Sequence, residues 1–331
     1  SPIPYRTPYI QQFSLDVQRE LFRNFILDVG FLGSRGTHLI GAIDINEVPP
    51  GLGYAAGVVP AGTLINGATT QRLNYLRPYR GYGPINAIES IFTSNYHSLQ
   101  VNGQKRFAGN SLVGVAYTYS KNLTTSRADT SGPPQNTYDR RSDYALAPYD
   151  RAHVLSVNYV LEIPFFRSQQ GLIGHVLGGW ELSGITQYGT GQPFTIGTLG
   201  GTDPAGLGIL GPSSASVRPD QICNPNVNAP RTYASWFNTS CFADVPAGQV
   251  RVGNAGRSTI RGPGYGRWDL SLIRNVKFTE NLRFQLRGEA FNLFNHTNPY
   301  GFNVSLGSSQ FGNITSARDP RIIQLGAKLY F

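Results

Sequence analysis

The side chains able to do chemistry are few and scattered. Five histidines (His38, His97, His153, His175 and His296) are spread along the chain without metal-ligand spacing such as HExxH. No GxSxG nucleophile elbow and no P-loop occurs. Gly200-Gly201-Thr202-Asp203-Pro204-Ala205-Gly206 reads as a loop rather than a phosphate cradle. The pattern argues against an enzyme: no catalytic residues, no metal and no cofactor are expected.

Two other groups remain. Cys223 and Cys241 stand 18 residues apart in one loop-like stretch, and a disulfide between them is expected. Its Cα atoms should lie within about 4.4–6.8 Å, and closing such a loop stabilises by roughly 3 kcal/mol on the chain-entropy model. Tyr138-Asp139-Arg140-Arg141-Ser142-Asp143-Tyr144 and Tyr149-Asp150-Arg151 mix aromatic rings with charge. Rings beside polar groups grip sugars, peptides or chelates. Tyr138, Arg140, Arg141, Tyr144, Tyr149 and Arg151 are therefore candidate ligand contacts, with Trp236 a weaker one. The same residues would also serve as loop-to-loop ion pairs and packing.

What positions them is a set of strands. Alternation with period two predicts nine: around Phe13–Val17, Phe25–Phe31, Leu99–Phe107, Val113–Tyr119, Leu155–Ile163, Trp180–Tyr188, Trp268–Phe278, Leu282–Glu289 and Ile323–Phe331. In each, one face is apolar and the other carries hydrated side chains such as Asp16, Gln104, Arg283, Gln285, Gln324 and Lys328. On the Trp268–Phe278 strand Arg274 breaks the apolar face once. Alternation alone does not say which face is inside, since a soluble sandwich would bury the apolar one.

The connections separate the two. Short ones fall near 21–24, 108–110, 167–178 and 279–281, and long ones near 40–95, 121–150, 190–266 and 295–318. Short turns at one rim and long loops at the other belong to an antiparallel transmembrane β-barrel. Gly (39), Pro (22), Tyr and Phe (18 each) and only 14% charged residues suit such an all-β chain. Leu155, Val157, Leu270, Leu272, Phe284, Leu325, Leu329 and Phe331 are then expected to face lipid. The net charge of +9 is scattered, without a basic helix, so no nucleic-acid partner is expected.

The last strand carries Gln324-x-Gly326-x-x-Leu329-x-Phe331, which resembles the signal by which the barrel-insertion machinery recognises outer-membrane proteins. Further phrases resemble the C-terminal barrel of TonB-dependent outer-membrane receptors, the Oar-like branch with a carboxypeptidase-regulatory-like domain. They are Gly33-Ser34-Arg35-Gly36-Thr37-His38-Leu39, Asn95-Tyr96-His97-Ser98-Leu99-Gln100, Tyr117-Thr118-Tyr119-Ser120-Lys121, Tyr149-Asp150-Arg151-Ala152-His153, Gly189-Thr190-Gly191-Gln192-Pro193-Phe194 and Arg287-Gly288-Glu289-Ala290-Phe291-Asn292-Leu293-Phe294-Asn295. The resemblance spans the chain. It implies a barrel of about 22 strands closed by a plug, set in outer-membrane lipid of a Gram-negative bacterium, and nutrient uptake driven by the TonB complex. On that basis residues 1–331 are the C-terminal portion of such a barrel, with the plug and regulatory domain lying elsewhere. Ser1-Pro2-Ile3-Pro4 without a leader, and the absence of Met, fit a piece of a longer precursor. Nine strands then predict an open sheet. A passive porin or structural surface barrel, or a secreted β-rich adhesin or carbohydrate-binding protein, remain the alternatives.

Overall fold

The computed structural model describes residues 6–59, 71–126, 133–166, 169–199, 203–208, 217–278 and 282–331. Nine long strands run antiparallel across one sheet in chain order. They are β1 (Tyr9–Phe22), β2 (Phe25–Asp44), β3 (Asn86–Arg106), β4 (Leu112–Thr124), β5 (His153–Glu162), β6 (Trp180–Gly189), β7 (Tyr265–Lys277), β8 (Arg283–Phe291) and β9 (Ile322–Tyr330). The two-residue strand Ala145–Leu146 extends the sheet beside the end of β4. Every strand read from alternation is present, and β1 and β9 form the two edges of an open sheet.

The pairing register carries the alternation across the whole sheet. Leu15, Phe31, Leu99, Tyr119 and His153 lie directly opposite one another in succession. So do Leu161, Leu182, Leu272, Gly288 and Leu325 further along. Leu155, Val157, Leu270, Phe284 and Leu329 fall on this same face. The opposite face carries the row Gln18, Asp28, Asn102, Ala116, Ser156, Gln187 and Arg267. Asn275, Gln285 and Lys328 continue it on the last three strands.

The apolar face is bare. Leu15 is 72% exposed and Leu325 82%, whereas most of the buried hydrophobic residues lie in the connections. One cluster is Ile196, Phe237, Cys241, Phe242, Ala255, Ile260 and Phe302, and a smaller one is Val48, Val59 and Leu73. A soluble sandwich would cover its large apolar face with protein; a membrane barrel turns it to lipid. Arg274 is accommodated on this face by the Trp180 ring 5.3 Å away and by a hydrogen bond to the His175 carbonyl. That carbonyl belongs to the short helix Gly171–Leu177 in the β5–β6 connection.

Strand lengths depart from the sequence reading. β2 has 20 residues and β3 has 21, about twice what a bilayer requires, so the first long connection covers only 45–85. The register shifts between Gly36 and Leu39, where His38 takes a positive φ of 56°. This bulge offsets the period on β2 and hides its outer half from an alternation count. The expected turn 279–281 lies outside the described residues.

The two faces predict opposite tolerance to charge. Val157→Arg should cost ~2–4 kcal/mol in urea unfolding of the bilayer-inserted protein, while Ser156→Arg on the opposite face should be nearly neutral.

Candidate functional site

The connections 45–85, 125–152, 190–264 and 292–321 all leave the same rim. Loops of this length hold a shape only if their polar backbone finds partners, and here arginines supply many of them. Arg77 is buried, lies 3.7 Å from Asp44, and donates to the Asn46 and Gly208 carbonyls at 2.6 Å each. Arg218 pairs with buried Asp143 at 2.5 Å, and Arg261 with buried Asp150 at 2.5 Å. Arg257 donates to the Ser126 and Thr124 carbonyls at 2.9 Å. Together these tie 190–264 to 45–85, to 125–152 and to the end of β4.

Glu47 sits where three loops meet. Its carboxylate accepts from the Thr137 amide at 3.1 and 3.2 Å, and its carbonyl accepts from the Tyr138 hydroxyl at 2.7 Å. Burial pushes its pKa up to about 7; the Thr137 hydrogen bonds oppose this, and the charges of Asp44 and Asp203 add to it. The same burial depresses the pKa of Arg77, against the attraction of Asp44, Glu47 and Asp203.

The candidate contacts separate into two groups. Arg140 and Arg141 project from the short 3-10 turn Arg140–Asp143, and both are exposed. Tyr149 is exposed as well. Tyr138 and Tyr144 are engaged, the latter accepting from the Asn95 amide at 2.9 Å. Arg151 donates to the Thr190 carbonyl at 2.6 Å and lies 4.9 Å above the Tyr265 ring. Arg318, which the sequence reading did not single out, lies 5.4 Å from that ring and 5.7 Å from Tyr300. Burial is the main reason the Arg151 pKa is lowered; Tyr265 opposes that shift and Arg318 adds to it. Nothing in the local sequence linked Arg318 to Arg151, because their shared ring comes from a third segment.

Trp236 is packed in the 190–264 loop, its indole N–H donating to the Arg261 carbonyl at 2.8 Å and Arg231 lying 5.1 Å above its ring. It borders a cleft of about 680 Å³ reaching to His153, Leu155, Tyr188 and Trp268. Cys223 and Cys241 are joined in a disulfide with Cα atoms 4.8 Å apart, within the expected range. Asp203 of the glycine-rich stretch accepts from the Leu207 and Gly208 amides at 3.0 and 2.7 Å, so the part described is a turn. Among the described residues no cluster of His, Cys, Asp and Glu is arranged to hold a metal ion. At the last strand, Gln324 and Gly326 lie on the polar face and Leu329 on the apolar one.

Known proteins supply the class. Residues 2–324 match the family model described as outer membrane beta barrel domain. The chain belongs to that family, and its place is the outer membrane. No curated protein sequence matches it. Among solved structures it is similar to the outer membrane transporter YddB from Escherichia coli, with TM-score 0.51 and 10% identity over 99% of this chain. The ferripyoverdine receptor of the outer membrane of Pseudomonas aeruginosa gives TM-score 0.40 and 9% identity over 98%. The chain spans 33% of the first structure and 27% of the second. It is thus an outer-membrane β-barrel chain whose fold is similar to that of the transporter YddB.

The raised pKa of Glu47 makes the loop cap pH-dependent. Hydrated Glu47 has the ordinary value of 4.5 against about 7 when clasped. Stability from this site is therefore full below about 4.5 and lost as pH rises through about 7. Protection of the Thr137 amide in hydrogen exchange should fall between pH 5 and pH 8. Glu47→Gln should remove that slope while keeping a hydrogen-bond acceptor.

Proposed function

We propose that this chain is part of the wall of a TonB-dependent transporter of the Oar-like branch, importing a large nutrient such as an oligosaccharide, peptide or metal chelate without altering it. The observation that carries this reading is the open sheet. Its polar face holds amide and charged side chains across all nine strands, and β1 and β9 do not pair with each other. A face so hydrated suits a wide lumen, and a barrel of about 22 strands with a plug supplies one. The likeness to YddB supports the fold, and the chain's short span of that structure fits a contribution of only some of the strands.

In this reading the cap of clasped loops is the receptor mouth, and exposed Arg140, Arg141 and Tyr149 make first contact with cargo. Tyr138 and Tyr144 hold that segment in place. Arg151, stacked on Tyr265 with Arg318 near the same ring, contributes a second cationic group. The TonB complex acts through an N-terminal part outside this chain, and the insertion machinery reads Gln324, Gly326, Leu329 and Phe331.

Uptake by cells expressing the full-length protein tests this, with a fluorescent oligosaccharide, a fluorescent peptide and a ferric chelate offered separately. One of them should enter only when TonB is present. Arg140→Ala with Arg141→Ala should raise the half-saturating concentration about tenfold, as for a truncated arginine hot spot. Uptake that persists without TonB would establish a passive porin; no uptake of any probe would leave a structural surface barrel.

A further inference from the structure

Four residues that line the cleft beside Trp236 lie on the apolar face of the wall, and Tyr265, the ring under Arg151, closes it at the loop side. Leu155 lies directly opposite Tyr188, His153 is two residues before Leu155 on the same strand, and Trp268 faces Thr186, two residues before Tyr188. All four therefore point from the apolar face, and the rings of Tyr188 and Trp268 meet edge-on at 4.8 Å. The other wall is the 190–264 loop, where Arg231 covers the indole of Trp236. The cleft thus straddles the boundary between the hydrocarbon band and the outer rim.

Its chemistry is cationic. None of the residues lining it is acidic, while Arg231 and Arg261 both contribute to its walls. Arg261 already answers Asp150, but its side chain stays 32% exposed. Arg231 donates to the Asn226 side-chain oxygen at 3.3 Å and makes no ion pair with a carboxylate among the described residues. Its guanidinium lies 5.1 Å from the centre of the Trp236 ring, and the planar fork of an arginine matches phosphate oxygens. The volume of about 680 Å³ suits a sugar-phosphate head group better than a small ion.

We propose that this cleft seats the phosphorylated head group of one outer-leaflet lipid. Its phosphate meets Arg231 and Arg261, its head group rests on Trp236 and Trp268, and its acyl chains run down the apolar face past Leu155. The surface is continuous with the lipid-facing wall, so no further partner has to be brought to it.

Native mass spectrometry of the full-length protein in nonionic detergent tests the proposal, with lipid A and its dephosphorylated form as probes. Lipid A should be retained about tenfold more strongly, the worth of one charge-assisted hydrogen bond. Arg231→Gln should lose most of that preference and Arg231→Lys should keep part of it, with the heat-induced gel shift confirming folding. Excess inorganic phosphate should not compete. Equal retention of the two lipids by the unaltered protein would overturn the proposal without any variant, as would an unchanged preference in Arg231→Gln. Displacement by inorganic phosphate would make the cleft a small-anion site, and displacement by a cargo probe a transport subsite; either result overturns it.

Discussion

Hydrocarbon offers no water to peptide groups, so each membrane-spanning strand must find its hydrogen bonds in a neighbour. That constraint locks the register of this sheet, and the register creates its two faces. A slip of one residue would move every side chain of a strand to the wrong medium. The register shifts among the described residues of the nine strands fit this. The shift on β2 lies between Gly36 and Ile40, on its outer half, and the one on β1 lies between Glu20 and Phe22, beside the turn. Among the nine long strands described, β1 and β9 each have one side without a partner in the sheet, and such edges pair readily with further strands.

Beyond the rim the constraint reverses. The loops have water available, yet their clasps are buried: Arg218 with Asp143 and Arg77 with Asp44 are almost completely enclosed. Removing one partner of a buried pair typically costs ~3–5 kcal/mol because the other charge is stranded. Arg218 through Asp143, and Arg77 through the Gly208 carbonyl, tie together connections distant in sequence. Glu47 is a place where rising pH works against this enclosure, since its burial favours the neutral form.

The strands were legible in the sequence because period two survives in each of them, and the pairing confirms the same apolar set from Leu15 to Leu329. Where it broke, the cause is local. The Thr37-His38 bulge offsets β2, and the helix Gly171–Leu177 is too short to show a helical period. The cap was far less legible. Exposed Arg140 and Arg141 could be singled out from composition. The partners of Arg218 and Arg77 could not, lying 75 and 131 residues away. Trp236 could be noticed as an aromatic in a loop, but the residues that share its cleft, His153 and Leu155 on β5 and Trp268 on β7, come from two separate strands, and no spacing foretells them.

The central claim is that the apolar face meets lipid and the polar face meets water. Nitroxide labels placed singly at each position from Val154 to Leu161, in the membrane-inserted protein, test it most directly. Collisions with oxygen should peak at Leu155, Val157, Tyr159 and Leu161, and collisions with a water-soluble nickel chelate at Val154, Ser156, Asn158 and Val160. The opposite phase, or no alternation between the two quenchers, would contradict the account.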